Sequence, residues 1–405
     1  MRTKKIQCYG CALLCDDVYI KLTKDGVVEN TINSCFRGNG FIKNYLSESR
    51  LQQAVQKQSG LEILLSHEEV VSNLKEELLK ASSIKFYGLG AISYQDQLQV
   101  LNVARKLYEE KKTIQIDKIS ENNDVLLSPS LTGIGQGINN ADVFIFWNVD
   151  PTHSHPKLFG KLLFSRGMFR LSGKEMKKFI LIQKQESDLT RLKDILIDNS
   201  TQSSSQLVTG LIHLLEGKSL DEISIGNLSK DNLRELKTFL QATEYGIIIC
   251  NTPIQDHISI TDLNLLMEKL NTYVKGRFSL LALPSMSNDF GLTSALFMTF
   301  GEEIASISPK SQDPADLAII FGGEYLRDEF NPPQINFPEK KVILFDNFKS
   351  SFSSKASVTI PYSIPGIEAN GTAIRLDGIN LNLHKWNDPP GEVKSISEIF
   401  QSLLN

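Results

Sequence analysis

The chain has 405 residues, 41% hydrophobic and 22% charged, with a formal net charge of −4. That balance fits a folded globular protein of one large core or two to three domains. It excludes the basic blocks that a nucleic-acid partner needs and any apolar run of about 18 residues long enough to cross a bilayer. No apolar stretch stands behind Met1-Arg-Thr-Lys-Lys, so no signal peptide is expected and a reducing, cytoplasmic compartment is.

In chain order, the first feature is a group of cysteines. Four of the five fall in the first 35 residues, in Cys8-Tyr-Gly-Cys11-Ala-Leu-Leu-Cys15 and again at Cys35. The spacing C-x2-C-x3-C-x19-C lets four thiolates surround one soft metal centre, a [4Fe–4S] cubane or a tetrahedral zinc. The x3 gap favours the cluster, because repeated C-x2-C knuckles are the commoner zinc spacing. A disulfide pair or plain thiols are the remaining readings. Around the cysteines, Asp17-Val-Tyr-Ile-Lys-Leu alternates polar and apolar, Asp25-Gly26 marks a hairpin turn, and Gly38-Asn-Gly40 is expected to break the chain. Residues 1–58 read as a small β-rich cap whose thin core gains from a metal staple.

From residue 59 onward, strands and helices alternate. Ser66 and Glu69 form a capping box that opens a helix running to Ala81. Strands follow at Ser83–Tyr87 and Thr113–Asp117, with a helix from Gln95 to Glu110 between them. Ala141–Trp147, Phe179–Gln183, Gly246–Cys250, Leu317–Phe321 and Val342–Phe345 are nearly continuous apolar runs, as buried parallel strands are. The fold class is therefore α/β, with two doubly wound, Rossmann-like parallel-sheet units behind the cap. The expected division is 1–58, 59–240 and 241–405, with the two α/β units able to interleave. In the tail around Gly366–Gly378, strands and glycine turns replace the helices.

Two loops have positions where chemistry collects. Tyr87-Gly-Leu-Gly90 joins a strand to a helix and offers backbone amides to a phosphate, but it lacks the spaced third glycine of a dinucleotide fingerprint. The alternative is a tight turn. Trp147-Asn-Val-Asp-Pro-Thr-His153-Ser-His155-Pro follows a buried strand, where α/β proteins bind ligands. His67, His213, His257 and His384 stand alone, and Cys250 reads as a small buried hydrophobe. No G-x-S-x-G elbow is present.

Taken together, the motifs resemble the B-type subunit of formylmethanofuran dehydrogenase, a molybdopterin oxidoreductase, along nearly the whole chain. Cys8 to Asp17 and Thr31-Ile-Asn-Ser-Cys35 are similar to the family's cluster segment. Ala141 to Pro156 is similar to its W-G-x-N-P-x-x-x-H-P loop, Phe164–Arg170 matches the segment that follows, and Gly366–Gly378 resembles its G-x-E-A-x-G-T-x-x-R-x-D-G. The resemblance implies a [4Fe–4S] cluster on Cys8, Cys11, Cys15 and Cys35. It also implies a pocket for a pterin-held molybdenum or tungsten near Trp147, His153 and His155.

The sequence departs from the family at that second centre. The family's metal-ligating cysteine and neighbouring histidine fall at Asn123 and Asp124, and no cysteine lies between Cys35 and Cys250. An asparagine carbonyl replaces a thiolate poorly at a soft, high-valent metal. The P-M-R-G-H segment reads Pro284-Ser-Met-Ser-Asn-Asp-Phe290, the V-D-P-R segment reads Leu181-Ile-Gln-Lys-Gln-Glu186, and Y-N-P-G-E is not recognisable near Ser308–Pro314. Joint loss points to a vestigial pterin pocket without molybdopterin, molybdenum or tungsten.

That pattern resembles the version of the subunit in the bacterial formyltransferase/hydrolase complex. The expected role is a redox-inactive scaffold in formyl-methanofuran/tetrahydromethanopterin metabolism, with the complex's other subunits as partners and a methanofuran-type carrier contacted indirectly. An active molybdenum or tungsten dehydrogenase and an iron–sulfur electron-transfer module are the alternatives.

Overall fold

A computed structural model describes residues 2–58, 61–117, 128, 130–184, 186–252, 258–307, 314–322, 340–350 and 352–404. Asn123, Asp124, His257 and the stretch 308–313 lie outside the described residues. The N-terminal residues form an antiparallel sheet of β1 (Arg2–Ile6), β2 (Val18–Leu22) and β3 (Val28–Ile32). Val18, Ile20 and Leu22 are buried while Tyr19 faces solvent, the period-two burial that the alternation demands. Gly26 closes the β2–β3 turn at φ +80°, where a side chain would be strained.

The chain does not break after Cys35. Phe36–Asn44 is a helix through both glycines, because Cys35 caps it: its Sγ accepts a 3.3 Å hydrogen bond from the Gly38 amide. Gly38 also leaves room for sulfur, since a Cβ there would lie 3.0 Å from Cys8 Sγ and 3.6 Å from Cys35 Sγ.

The following strands are β4 (Ala54–Gln58), β5 (Leu61–Leu65), β6 (Ser83–Tyr87), β7 (Thr113–Ile116), β8 (Val143–Trp147), β9 (Lys178–Gln183) and β10 (Ile195–Asp198). After them come β11 (Tyr245–Asn251), β12 (Arg277–Leu283), β13 (Leu317–Phe321), β14 (Lys341–Phe345), β15 (Val358–Ile360), β16 (Gly371–Ile374) and β17 (Asn380–Leu383). Two compact units result, one of residues 1–120, 286–375 and 379–405, the other of 121–285 and 376–378. Sheet membership sets these limits, because β6 and β7 share a sheet with β13, β14 and β15.

In the first unit the sheet order is β5-β4-β15-β14-β13-β6-β7, parallel from β15 to β7 and antiparallel at β4 and β5. The helix His67–Lys80 carries the Ser66/Glu69 capping box, and the helix Tyr94–Glu109 is capped by Ser93. Phe321 and Phe345 stack at 4.9 Å in its core, with Phe400 against both. Burying each such side chain contributes about 1.5–3 kcal/mol.

The second unit has a parallel sheet in the order β10-β9-β8-β11-β12. All five β8 residues are buried, as expected for a strand covered on both faces. Phe146 packs edge-on against Phe179 at 5.0 Å. The apolar runs of the sequence thus become the central strands of both units.

Candidate functional site

The four N-terminal cysteines gather where the β1–β2 connection meets the start of the helix Phe36–Asn44. The Cys8 amide donates to the Cys15 carbonyl at 2.9 Å and the Leu14 amide to the Cys11 carbonyl at 3.0 Å, folding the three-cysteine run into a tight loop. Leu14 takes a left-handed φ of +39° to allow it. Arg37 Nε donates to the Gly10 carbonyl at 2.7 Å and ties this loop to the helix that carries Cys35. Cys8, Cys11 and Cys15 are buried, Cys35 is half-buried, and none of them is joined in a disulfide. Burial pushes the Cys11 thiol far up, with Cys8 and Cys15 adding to the effect and Arg37 opposing it. A thiolate in that position needs a strong positive partner, and iron or zinc is one.

Among the described residues, no three His, Cys, Asp or Glu side chains are grouped to hold a single ion. Zinc draws four sulfurs to about 2.3 Å of one centre, whereas a cubane spreads four thiolates over four irons. Four cysteines on one loop and the adjoining helix start are a thiol donor set that either kind of centre uses. Arg37 and Gly38, which shape the site, carry no metal-ligand chemistry and give no motif signal.

The Gly88–Gly90 turn lies at the switch point of the first unit's sheet, where β6 is flanked by β7 and β13. Its space is filled by the chain itself. A Cβ at Gly88, whose φ is +73°, would lie 2.1 Å from the Phe321 carbonyl oxygen, and one at Gly90 would lie 2.0 Å from Asp289 Oδ1. The Asn288 amide donates to the Gly90 carbonyl at 2.8 Å, and Asn288 Nδ2 to the Ile92 carbonyl at 3.0 Å. With a buried carboxylate against it, the turn is a packed junction and a poor phosphate cradle. Asn288 and Asp289 belong to the segment that replaces P-M-R-G-H.

The second unit has its switch point between β8 and β11, and here polar groups are left over. Trp147 Nε1, both amide atoms of Asn148 and the Thr252 hydroxyl are buried without a hydrogen-bond partner among the described residues. Asn148 also holds a left-handed φ of +48°. Register pairs Phe146 with Ile249, so Asn148 and Thr252 follow neighbouring strands at one edge. Asn199, one residue past β10, is likewise buried with both amide atoms unmatched. Such groups are rare in folded proteins and mark ligand or water positions. Gln183 at the end of β9 is instead consumed locally, by Thr190 Oγ1 at 2.8 Å and Ser187 Oγ at 3.1 Å.

His153 and His155 do not form a pair. Pro151–Ser154 is a helical turn capped by Asp150, so residues two apart point to different sides. His153 is exposed, while His155 is 3% exposed with Nδ1 3.1 Å from Ser154 Oγ. Sequence alone does not single out Asn148, Asn199 and Thr252, since an unmatched amide is visible only once strand order is known.

The C-terminal motif serves structure. Glu368 Oε2 accepts from Arg50 Nη2 at 2.6 Å and from the Ile364 amide at 3.0 Å. Gln95 holds Thr372 through two 2.8 Å bonds, and Asp377 accepts from the Ile134 amide at 3.2 Å.

A small antiparallel cap with four cysteines, followed by doubly wound α/β units, is the architecture of molybdopterin-oxidoreductase-type folds. Acetylene hydratase from Pelobacter acetylenicus has a similar structure, with a TM-score of 0.68, 12% identity, and 99% of this chain and 68% of that one covered. The chain is similar over its full length to the B-type subunits of tungsten-containing formylmethanofuran dehydrogenase 2. Identity is 24% with the Methanocaldococcus jannaschii protein, covering 99% of this chain and 97% of the relative. For the Methanococcus maripaludis protein it is 22%, covering 99% and 98%. A further structural neighbour is a chain of the formyltransferase/hydrolase complex from Methylorubrum extorquens in complex with methylofuran, with a TM-score of 0.61, 16% identity, and coverage of 86% of this chain and 97% of that one. No protein-family model matches.

Proposed function

We propose that the chain is the B-type subunit of a formylmethanofuran dehydrogenase-like complex in one-carbon metabolism, serving as a redox-inactive scaffold for formyl transfer and hydrolysis by its partners. The observation that carries this reading is the absence of cysteine between Cys35 and Cys250 in a chain similar throughout to tungsten-enzyme subunits. Cys250 cannot substitute, because it is wholly buried in β11 and burial pushes its thiol up to about 12. Without cysteine, a pterin-held metal has no thiolate donor from this stretch. The filled turn at Gly88–Gly90 and the self-satisfied Gln183 support the same view. The unmatched Trp147, Asn148 and Thr252 are what a vestigial cofactor crevice leaves behind.

Cys8, Cys11, Cys15 and Cys35 would hold an iron–sulfur cluster that staples the cap, with Arg37 supporting the thiolates. The partners are the other subunits of the complex, and a methanofuran-type carrier is handled among them. No helix among the described residues is long and apolar enough to cross a membrane, and a cytoplasmic setting keeps these thiols reduced.

A second reading, an active tungsten or molybdenum dehydrogenase, is favoured by the full-length likeness to tungsten-containing relatives. Assay of the purified complex separates the two. Formyl transfer and hydrolysis without electron-acceptor-linked oxidation of formylmethanofuran supports the scaffold. Acceptor-dependent oxidation at a rate comparable to transfer establishes the dehydrogenase.

A further inference from the structure

Residues 157–178 of the second unit carry seven lysines and arginines against one acid, Glu175, and several are already matched: Lys174 and Lys178 pair with Asp194, and Arg170 with Asp142 and Glu244. Two of these cations lie behind the surface and lock it. Lys177 Nζ donates to the carbonyls of Leu162 at 2.6 Å and Ser165 at 2.9 Å, and Arg170 Nη2 donates to Glu244 at 2.8 Å. The backbone of Gly167 and Arg170 pairs reciprocally at 3.1 and 3.3 Å. Gly167 sits so close to the helix Ile134–Asn140 that a Cβ would stand 2.2 Å from the Ile138 carbonyl oxygen. Asn139 takes the Phe169 amide on its carbonyl at 3.1 Å and the Met168 amide on Oδ1 at 3.0 Å.

The front of this pinned loop is apolar. Met168 is 70% exposed, Leu171 69%, Phe169 58% and Phe164 50%. Arg166 is exposed among them with no ion pair among the described residues. Aromatics, methionine and arginine are the residues that dominate the centres of protein interfaces. A loop already ordered from behind loses little entropy on binding, so its apolar side chains convert efficiently into affinity. Arg166, an exposed cation among them that makes no ion pair with the described residues, selects a partner with an acidic group opposite it. A membrane surface fits less well, because interfacial binders lay their apolar residues along one face of a helix, and these lie on an irregular turn.

We propose that Phe164–Leu171 is a docking surface for an acidic protein surface with an apolar pocket, presented by another member of the complex. This rests on the scaffold reading above. The residues of this assembly site are not those of the cysteine cap or of the crevice at Asn148.

The test uses the tagged, full-length chain expressed with its complex, with Phe169→p-benzoylphenylalanine as photo-crosslinker. The expected result is a crosslink to a peptide rich in Asp and Glu from a co-purifying subunit. Arg166→Glu with Met168→Asp should weaken retention of that subunit about tenfold and make it more salt-sensitive. Both residues are exposed, and the crosslink decides the matter even where the double variant fails to fold. An intact complex that gives no crosslink at position 169, or gives one only to a second copy of this chain, overturns the surface while leaving the scaffold reading in place. Protection of the loop by anionic phosphatidylglycerol vesicles, without a crosslink to another subunit, also overturns it. Purification of the chain with no other subunit removes both inferences together.

Discussion

Arg50 and Glu368 form a buried ion pair at 2.6 Å between side chains 4% and 1% exposed, joining positions 318 residues apart in sequence. Arg50 also donates to the carbonyls of Leu51, Asn347 and Tyr362 and to Asn347 Oδ1. The glutamate of the G-x-E-A-x-G-T segment therefore ties the C-terminal strand region to the end of the N-terminal part.

Removing one partner of a buried pair leaves an uncompensated charge. Glu368→Ala is expected to destabilise the chain by about 3–5 kcal/mol, seen as a lower denaturation midpoint. Glu368→Gln, which keeps an acceptor for Arg50, should lose less. Equal, negligible losses would show that the pair is not formed.

Glycines at Gly90 and Gly40 predict opposite outcomes. Gly90→Ala forces a Cβ to 2.0 Å from Asp289 Oδ1 and 2.9 Å from Met286 Sδ, so a loss of about 1–3 kcal/mol is expected. Gly40 lies in a helix with nothing within 4 Å of its would-be Cβ. Gly40→Ala should stabilise by about 0.5–1 kcal/mol in the same thermal melts.

Burial, with a smaller contribution from Arg170, lowers the Lys177 ammonium to about 8. Its charged form is disfavoured in the folded chain, so the unfolded chain binds more protons between pH 8 and the ordinary lysine range. Stability should therefore gain a contribution as pH rises through about 8 and onward, and this gain should be absent in Lys177→Met. At pH 7 the variant should still be less stable, by about 1–3 kcal/mol, because the carbonyls of Leu162 and Ser165 lose their donor. Difference melts of the two proteins at about pH 7 and about pH 9.5 read both effects.

Asn148 combines a left-handed backbone with a buried, unmatched amide. Asn148→Gly removes both costs and should raise the melting temperature, by the equivalent of about 1 kcal/mol. Formyl transfer by the complex should be unchanged. A fall in turnover with assembly intact would assign the crevice a working ligand.

Much of this architecture is legible in the sequence because its signals are local. The apolar runs at Phe144–Trp147 and Leu317–Phe321 identify parallel strands, and Ser66 with Glu69 fixes a helix start by its own hydrogen bonds. The helix after Cys35 is not legible, because Gly38 and Gly40 read as breakers while the compensating cap is a cysteine Sγ and the space is needed by Cys8. The strand-end trio Asn148, Thr252 and Asn199 escapes for a different reason. Whether a polar residue is matched depends on which strand lies beside it, and sequence spacing does not order strands. The apolar front at Met168 and Phe169 is hidden likewise, since residue type alone does not distinguish a core loop from one turned to solvent.

In the proposed reading the chain keeps its cysteine centre and has lost the pterin-held metal. Elemental and pterin analysis of the anaerobically purified complex tests it most directly. The expected result is about four irons per chain, removed by Cys15→Ser, and no stoichiometric tungsten, molybdenum or pterin. Stoichiometric tungsten or molybdenum accompanied by pterin would contradict it.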